Sequence, residues 1–167
     1  MQISVESVKA LRDLTGAGIM DSKNALVESN GDIAKAEEIL RDKGKASAMK
    51  KSSRATNQGL VESYIHSGGR IGAIVETNCE TDFVARTDDF KALAHDIAMQ
   101  VAAMDPKYLD ASDIPEGEEV NPEQVCLLQQ AFIKDNSKTI QDLVNETVAK
   151  LGENVKVRRF SRFALGE

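Results

Sequence analysis

Apolar residues recur at three-residue steps over Val5, Val8, Leu11 and Leu14, a spacing that predicts an amphipathic helix with Ser4 as its N-cap. Gly16 and Gly18 end it. Asp21 to Ser29 reads as a second short helix closed by Asn30-Gly31. Asp32 then caps a third, whose apolar side is Ile33, Ala36 and Leu40 with Ile39 alongside. Three helices within residues 1–44 make a unit near the lower size limit for independent folding, so its surface is expected to serve as a docking piece. The next stretch, GKASAMKKSSRATNQ from Gly44 to Gln58, is rich in Lys, Ser and Ala and has no sustained apolar period. Residues 45–58 read as a linker or as a frayed helical extension, with the domain boundary placed there.

The period changes in residues 59–167. Gly59 to His66 alternates loosely, Ser67-Gly68-Gly69 supplies a turn, and Arg70 to Asn78 returns as a more apolar strand, which together predict a hairpin. After Asp82 the set Phe83, Phe90, Leu93, Ala94, Ile97 and Val101 has helical spacing and runs to Met104, where Asp105-Pro106 stops it. Asp110 to Pro122 has the acidic, Pro- and Gly-containing composition of a solvated loop. Pro122 is read as the start of a helix carrying Val125, Leu128, Phe132 and Ile133. Ser137 is read as the cap of another, carrying Ile140, Leu143, Val144, Val148 and Leu151 and ended by Gly152. Val155 to Leu165 closes the chain as a strand in which Arg158-Arg159 interrupts the alternation, predicting a bulge or an edge position. The expected fold class is α+β: a three-helix module, then a small antiparallel sheet with helices on one face.

Composition narrows the chemistry. A net charge of −6 gives no global electrostatic case for nucleic acid or a membrane surface and suits a protein partner better. The start MQISVESVKA lacks a signal-peptide pattern, and no run approaches the length of a spanning helix, so a cytoplasmic or organellar-matrix protein is expected. Cys79 and Cys126 sit in no CxxC or Cys/His cluster, which indicates neither a zinc site nor a disulfide framework. No phosphate-cradling glycine motif occurs in the context it requires, and no metal or cofactor is expected. A thiol enzyme using Cys79 with His66 or His95 as base is weaker than the reading of Cys79 as a small buried hydrophobe at the end of a strand. Lys43, Lys45, Lys50, Lys51 and Arg54 lack interleaved aromatics and read as a solvated segment rather than a phosphate track.

The most informative run is VETNCETDFVAR, residues 75–86, where Thr81-Asp82-Phe83-Val84 sets an aromatic beside a carboxylate at the change from strand to helix. With 5 Phe, 2 Tyr and no Trp in the chain, an aromatic placed beside turn chemistry is either the lid of the chain's own core or an anchor for a partner. Pattern alone leaves the two readings open.

LRDLTGAGIMDSKNAL, from Leu11 to Leu26, closely resembles the N-terminal motif of the elongation factor Ts family, and VETNCETDFVAR resembles that family's second motif. The likeness continues through AHDIAMQVAAMDP, AFIKDNSKTIQDLV and LGENVKVRRFSRFALGE, covering nearly the whole chain. One departure is Thr77, where the family usually carries an aliphatic residue; a slightly weaker core contact is expected. The resemblance implies an exchange factor without an active site of its own, acting on the GTPase elongation factor Tu. It implies a docking module like a ubiquitin-associated domain, with contact roles for Arg12, Ile19, Met20 and Lys23. It implies that Asp82 and Phe83 enter the GTPase near its magnesium and phosphate region, with Thr81 capping the turn, Val84 beside them and Gln100 near the contacts on the next helix. Long family members duplicate the core, whereas this chain has room for one, so a homodimer is expected. A helical adaptor that binds a GTPase without altering nucleotide exchange is the alternative.

Overall fold

The computed structural model describes residues 3–167. Its N-terminal part is helical: α1 Val5–Thr15, α2 Ile19–Glu28 and α3 Ile33–Lys51. Ser4 caps α1 by accepting the Ser7 N–H, and Asp32 caps α3 by accepting the Lys35 N–H, as their positions in the sequence predict. Gly16 turns left-handed (φ 68°) so that its N–H closes on the Arg12 carbonyl and ends α1. Leu11, Ala25, Leu26 and Ala36 form the module's own small core.

Helix α3 does not stop at Gly44. The alternative left open for residues 45–58 resolves as helix as far as Lys51, so that a single rod runs from the module into the core. Gly44 is buried against α7 (Ile140–Leu151), where an added Cβ would lie 3.7 Å from the Asn145 carbonyl oxygen.

The core is built on a three-stranded antiparallel sheet in the order β1 (Gln58–Ile65), β2 (Ile71–Cys79), β5 (Val155–Ala164). The hairpin turn has Gly68 and Gly69 at φ 89° and 69°, a conformation that L side chains resist. Where Glu76 pairs with Arg159 and Thr77 with Val157, Arg158 is the extra residue, and β5 is an edge strand. Both the bulge and the edge position expected at Arg158-Arg159 are present, and Arg159 Nε donates to Glu76 Oε2 at 2.7 Å. Helices α5 (Asp88–Met104) and α7 cover one face of the sheet, joining Phe90, Ile97, Val101, Ile140 and Val148 to Val75, Val155 and Val157 in one core.

Three expectations give way. The helix read from Asp82 to Met104 is two helices, α4 (Asp82–Ala85) and α5, because the Thr87 hydroxyl accepts the Phe90 N–H and starts a new helix. The helix read through Ile133 ends at Val125 (α6, Pro122–Val125). It is followed by a 3-10 turn at Leu127–Gln129 and a small hairpin, β3 (Ala131–Phe132) and β4 (Asp135–Thr139). Ser137 therefore lies in a strand, and the cap of α7 is Thr139, which forms a reciprocal capping box with Asp142. The hydroxyl-rich run Asp135–Thr139 offers two capping candidates, and hydrogen bonding between Ser137 and the Asp135 carboxylate removes one of them.

Candidate functional site

Strand β2 ends at Cys79, and the chain turns through Glu80 into α4, whose N-cap is Thr81: its hydroxyl accepts the Val84 N–H at 3.3 Å. Four residues are too few for a helix to stand on its own hydrogen bonds, so α4 is held by what surrounds it. Ala85 is buried, and Val84 packs half-buried against the core. Phe83 points the other way and is 77% exposed, the most open aromatic side chain in the described structure. Of the two readings the sequence leaves for Phe83, the lid of its own core is thereby excluded. Asp82 is half-exposed and ion-paired with Arg86 at 2.8 Å, one helical turn away. Thr81, Asp82 and Phe83 thus form a small protruding tip with an aromatic and a carboxylate side by side.

A lattice of polar contacts from three separate segments grips the base of this tip. The Glu153 carboxylate accepts the N–H groups of Glu80 (3.1 Å) and Thr81 (3.0 Å) and the Thr81 hydroxyl (2.7 Å). In return Glu80 accepts the Asn154 N–H at 2.7 Å, and this bond, with help from the Arg54 guanidinium, holds the Glu80 carboxyl below its ordinary range. Asn154 Nδ2 donates to the Arg54 carbonyl at 2.8 Å and Asn78 Nδ2 to the Thr56 carbonyl at 3.2 Å, fastening the exit of α3 beneath the same turn. Sequence reading passed over Glu80, Glu153 and Asn154, since residues 80 and 153 are remote in the chain and only the pairing of β2 with β5 makes them neighbours.

Cys79 lies directly under the tip. Its thiol is buried and donates to the Thr81 carbonyl at 3.1 Å. Burial, reinforced by the Glu153 charge, pushes its pKa up to about 11, so the group stays a thiol. The two imidazoles engage other partners, His95 with Glu62 at 3.1 Å and His66 with the Tyr64 hydroxyl at 3.1 Å. The structure therefore gives the thiol neither the thiolate state nor the bonded base that nucleophilic catalysis requires.

In the helical module, Arg12 in the last turn of α1 lines one groove with the Gly16-Ala17-Gly18 turn and Asp21 of α2. Arg12 and Lys23 are exposed, Ile19 is 58% exposed and Met20 63%. Met20 and Lys23 are three residues apart on one helix face, and Val27, 56% exposed, extends that face by one more turn. Val27 was not singled out from the sequence, although its spacing from Met20 and Lys23 carries the signal.

Gln100 does not fit a contact role, because it is completely buried. Its amide nitrogen donates to Gln130 Oε1 (3.2 Å) and the Ala131 carbonyl (3.1 Å), and its oxygen accepts the Ile133 N–H (3.0 Å). The side chain ties the β3–β4 hairpin to α5, and its complete burial keeps it from any partner surface.

The face of the sheet turned away from the helices is uncovered. Its rows across the three strands are Ile65, Gly72 and Phe163; Ser63, Ile74 and Ser161; and Val61, Glu76 and Arg159. Val61, Ile65 and Phe163 are between 65% and 74% exposed. No group of three or more His, Cys, Asp or Glu side chains suited to a metal ion occurs among the described residues, and no described helix is long and apolar enough to cross a membrane.

A family model described as Elongation factor TS matches residues 21–123 and 119–167. Similar proteins include the Elongation factor Ts of Syntrophomonas wolfei, 51% identical over 99% of this chain and 91% of the relative. That of a Thermoanaerobacter strain is 50% identical over 99% and 96%, and that of Thermotoga neapolitana 48% identical over 100% and 99%. These alignments run over 195 positions against the 167 residues of this chain, so at least 28 positions of the relatives have no counterpart here. The two stretches of the family match overlap at residues 119–123, where the acidic loop runs into the start of α6.

Proposed function

The chain belongs to the elongation factor Ts family, and from that premise we propose that it binds the GDP form of elongation factor Tu and promotes GDP release by inserting the Asp82-Phe83 tip. The observation that carries the reading is Phe83 itself: a large aromatic, open to solvent, mounted on a turn held by hydrogen bonds from three segments. An exposed aromatic on a rigid support loses little entropy on binding, which is the property of an interface anchor. The helical module docks through Arg12, Ile19, Met20 and Lys23, and the tip then enters near the magnesium and phosphate region of the GTPase. Phe83 acts as a wedge between partner helices while Asp82 engages polar groups at the entry.

The energetics are those of linkage. Factor and GDP each weaken the other's hold on the GTPase by the same factor, so a ternary complex forms and sheds nucleotide. A ten-thousandfold faster release requires about 5.5 kcal/mol of barrier lowering, more than the roughly 1.5–3 kcal/mol one buried Phe provides. Loss of magnesium contacts and the second docking surface supply the rest. The factor performs no chemical step, and the relative supply of GDP and GTP decides which nucleotide refills the site. Its place is with the translation machinery in the cytoplasm.

Two copies are expected to pair through the uncovered sheet face, since Val61, Ile65, Ile74 and Phe163 are apolar, adjacent in register and unprotected. Both cysteines are buried, so the association is noncovalent. Light scattering at micromolar concentration checks this: Phe163→Glu is expected to give the monomer mass where the unmodified chain gives the dimer.

The functional test is stopped-flow release of a fluorescent GDP analogue from elongation factor Tu at controlled Mg²⁺. Acceleration by this chain establishes exchange. Binding with no acceleration would leave only an adaptor and overturn the proposal.

A further inference from the structure

We infer that Glu153 is the positioning residue of the exchange tip, a carboxylate delivered from the turn between α7 and β5 that sets the direction in which Phe83 points; the inference rests on the exchange reading above. Phe83 is 77% exposed and so receives almost no guidance from packing. Its aim is inherited from the backbone of α4, a single turn with too few internal hydrogen bonds to orient itself.

Beyond Cys79, the last β2 residue paired to β5, two consecutive backbone N–H groups at Glu80 and Thr81 have left the sheet ladder. Partly buried donors of this kind need an acceptor, and Glu153 Oε2 takes both, at 3.1 and 3.0 Å. The other carboxylate oxygen accepts the Thr81 hydroxyl proton at 2.7 Å. That bond leaves the lone pairs of Thr81 Oγ1 free for the Val84 N–H, the cap that starts α4. One side chain therefore fixes both how the backbone enters the tip and which way its cap is turned, through charge-assisted bonds stronger than those of a neutral acceptor. The Thr81 carbonyl is held from beneath by the Cys79 thiol, so the peptide group has little freedom to rotate.

The grip is reciprocal. Glu80 accepts the N–H of Asn154, so the tip and the α7–β5 turn each satisfy donors of the other, and Asn154 Nδ2 anchors the pair to the Arg54 carbonyl. Glu153 is itself half-buried, and both of its carboxylate oxygens are engaged by the base of the tip. It acts through Phe83 rather than on the partner.

The test measures GDP release from elongation factor Tu over a range of factor concentrations for the unmodified chain, Glu153→Ala, Glu153→Gln, Phe83→Ala and the Glu153→Ala/Phe83→Ala double variant, with rates referred to folded protein by circular dichroism. Glu153→Ala is expected to lower the saturating release rate by about tenfold, since an effect exerted only through Phe83 cannot exceed the loss on removing Phe83 itself. The factor concentration giving half the maximal rate should change by less than about threefold, because docking through the helical module is untouched. Glu153→Gln keeps an acceptor for both N–H groups and should fall between the two. The double variant should be no slower than Phe83→Ala alone, the coupling expected when one residue acts only through the other. Glu153→Ala at the unmodified rate, or losses that multiply in the double variant, would overturn the inference while leaving the exchange reading standing. A Phe83→Ala chain as fast as the unmodified one would instead remove the exchange reading on which it rests. If Glu153→Ala does not fold, Glu153→Asp, which keeps the charge and shortens the reach, takes its place with the same expected loss.

Discussion

Replacing Phe83 with Ala separates what the side chain does for its own fold from what it does for a partner, and the structure gives the magnitude of each. A fully buried Phe is worth about 1.5–3 kcal/mol. Because Phe83 is 77% exposed, about a quarter of that, roughly 0.3–0.7 kcal/mol, is realised within the chain. For a domain of this size 1 kcal/mol corresponds to about 2–4 °C in Tm, so the variant should melt less than about 3 °C below the unmodified chain. The remaining three quarters, roughly 1.2–2.3 kcal/mol, are available only to a partner, and losing them at the transition state for nucleotide release costs about 7- to 50-fold in rate. The assay is stopped-flow release of the GDP analogue from elongation factor Tu beside a calorimetric melt of the same preparation. A fall in Tm of more than about 6 °C with an unchanged release rate per folded molecule would refute the argument, since Phe83 would then belong to its own core.

Gln100→Ala should show the opposite pattern: one buried and two partly buried hydrogen-bonding groups around the β3–β4 hairpin lose their partner, costing about 2–4 kcal/mol of stability, with release per folded molecule preserved. A Tm unchanged to within a degree would contradict this assignment. Thr77→Val should raise stability by about 1 kcal/mol, because the buried Thr77 hydroxyl has no hydrogen-bond partner and Val fills the same space; a lower melting midpoint in urea would count against it. Stability should also depend on acid. Glu76, held low first by its bond from Arg159, and Glu80, by the Asn154 N–H, have folded pKa values below their ordinary 4.5; for Asp142 burial pushes upward, but the bonds from Thr139 together with the Lys45 and Arg41 charges hold it below 3.8. Their contribution is complete above pH 4.5 and is lost as pH falls through the depressed folded values, so urea midpoints should decline below that point and be flat from pH 5 to 8. At the alkaline end the sign reverses: the contribution of Cys79 is present below its ordinary 9.0 and is lost as pH rises toward about 11, a decline that Cys79→Ala should reduce.

Most of the helical module was legible in the sequence because its signals are local. Ser4 and Asp32 as caps, Gly16 as a stop and the three-residue apolar steps all act within a turn or two of where they stand. The Gly68-Gly69 hairpin and the bulge at Arg158 were legible for the same reason, the first from backbone freedom and the second from a break in alternation. The misreadings lie where two local signals compete. Apolar spacing bridges Phe83 and Phe90, but the Thr87 cap divides the helix, and Ser137 loses its capping role to Thr139 because the Asp135 carboxylate engages it first.

The sequence by itself determined the class of fold and, through two motifs in order, the family and the residues Asp82 and Phe83. Only the tertiary structure decided what those residues are free to do. Exposure of Phe83, burial of Gln100 and the grip of Glu153 on the tip each depend on which distant segment packs nearby: β5 beside β2 brings residue 153 under residues 80 and 81, and the β3–β4 hairpin closes over residue 100. Propensity and periodicity act over a few residues, whereas burial and hydrogen-bond pairing between remote segments exist only once the chain has closed on itself.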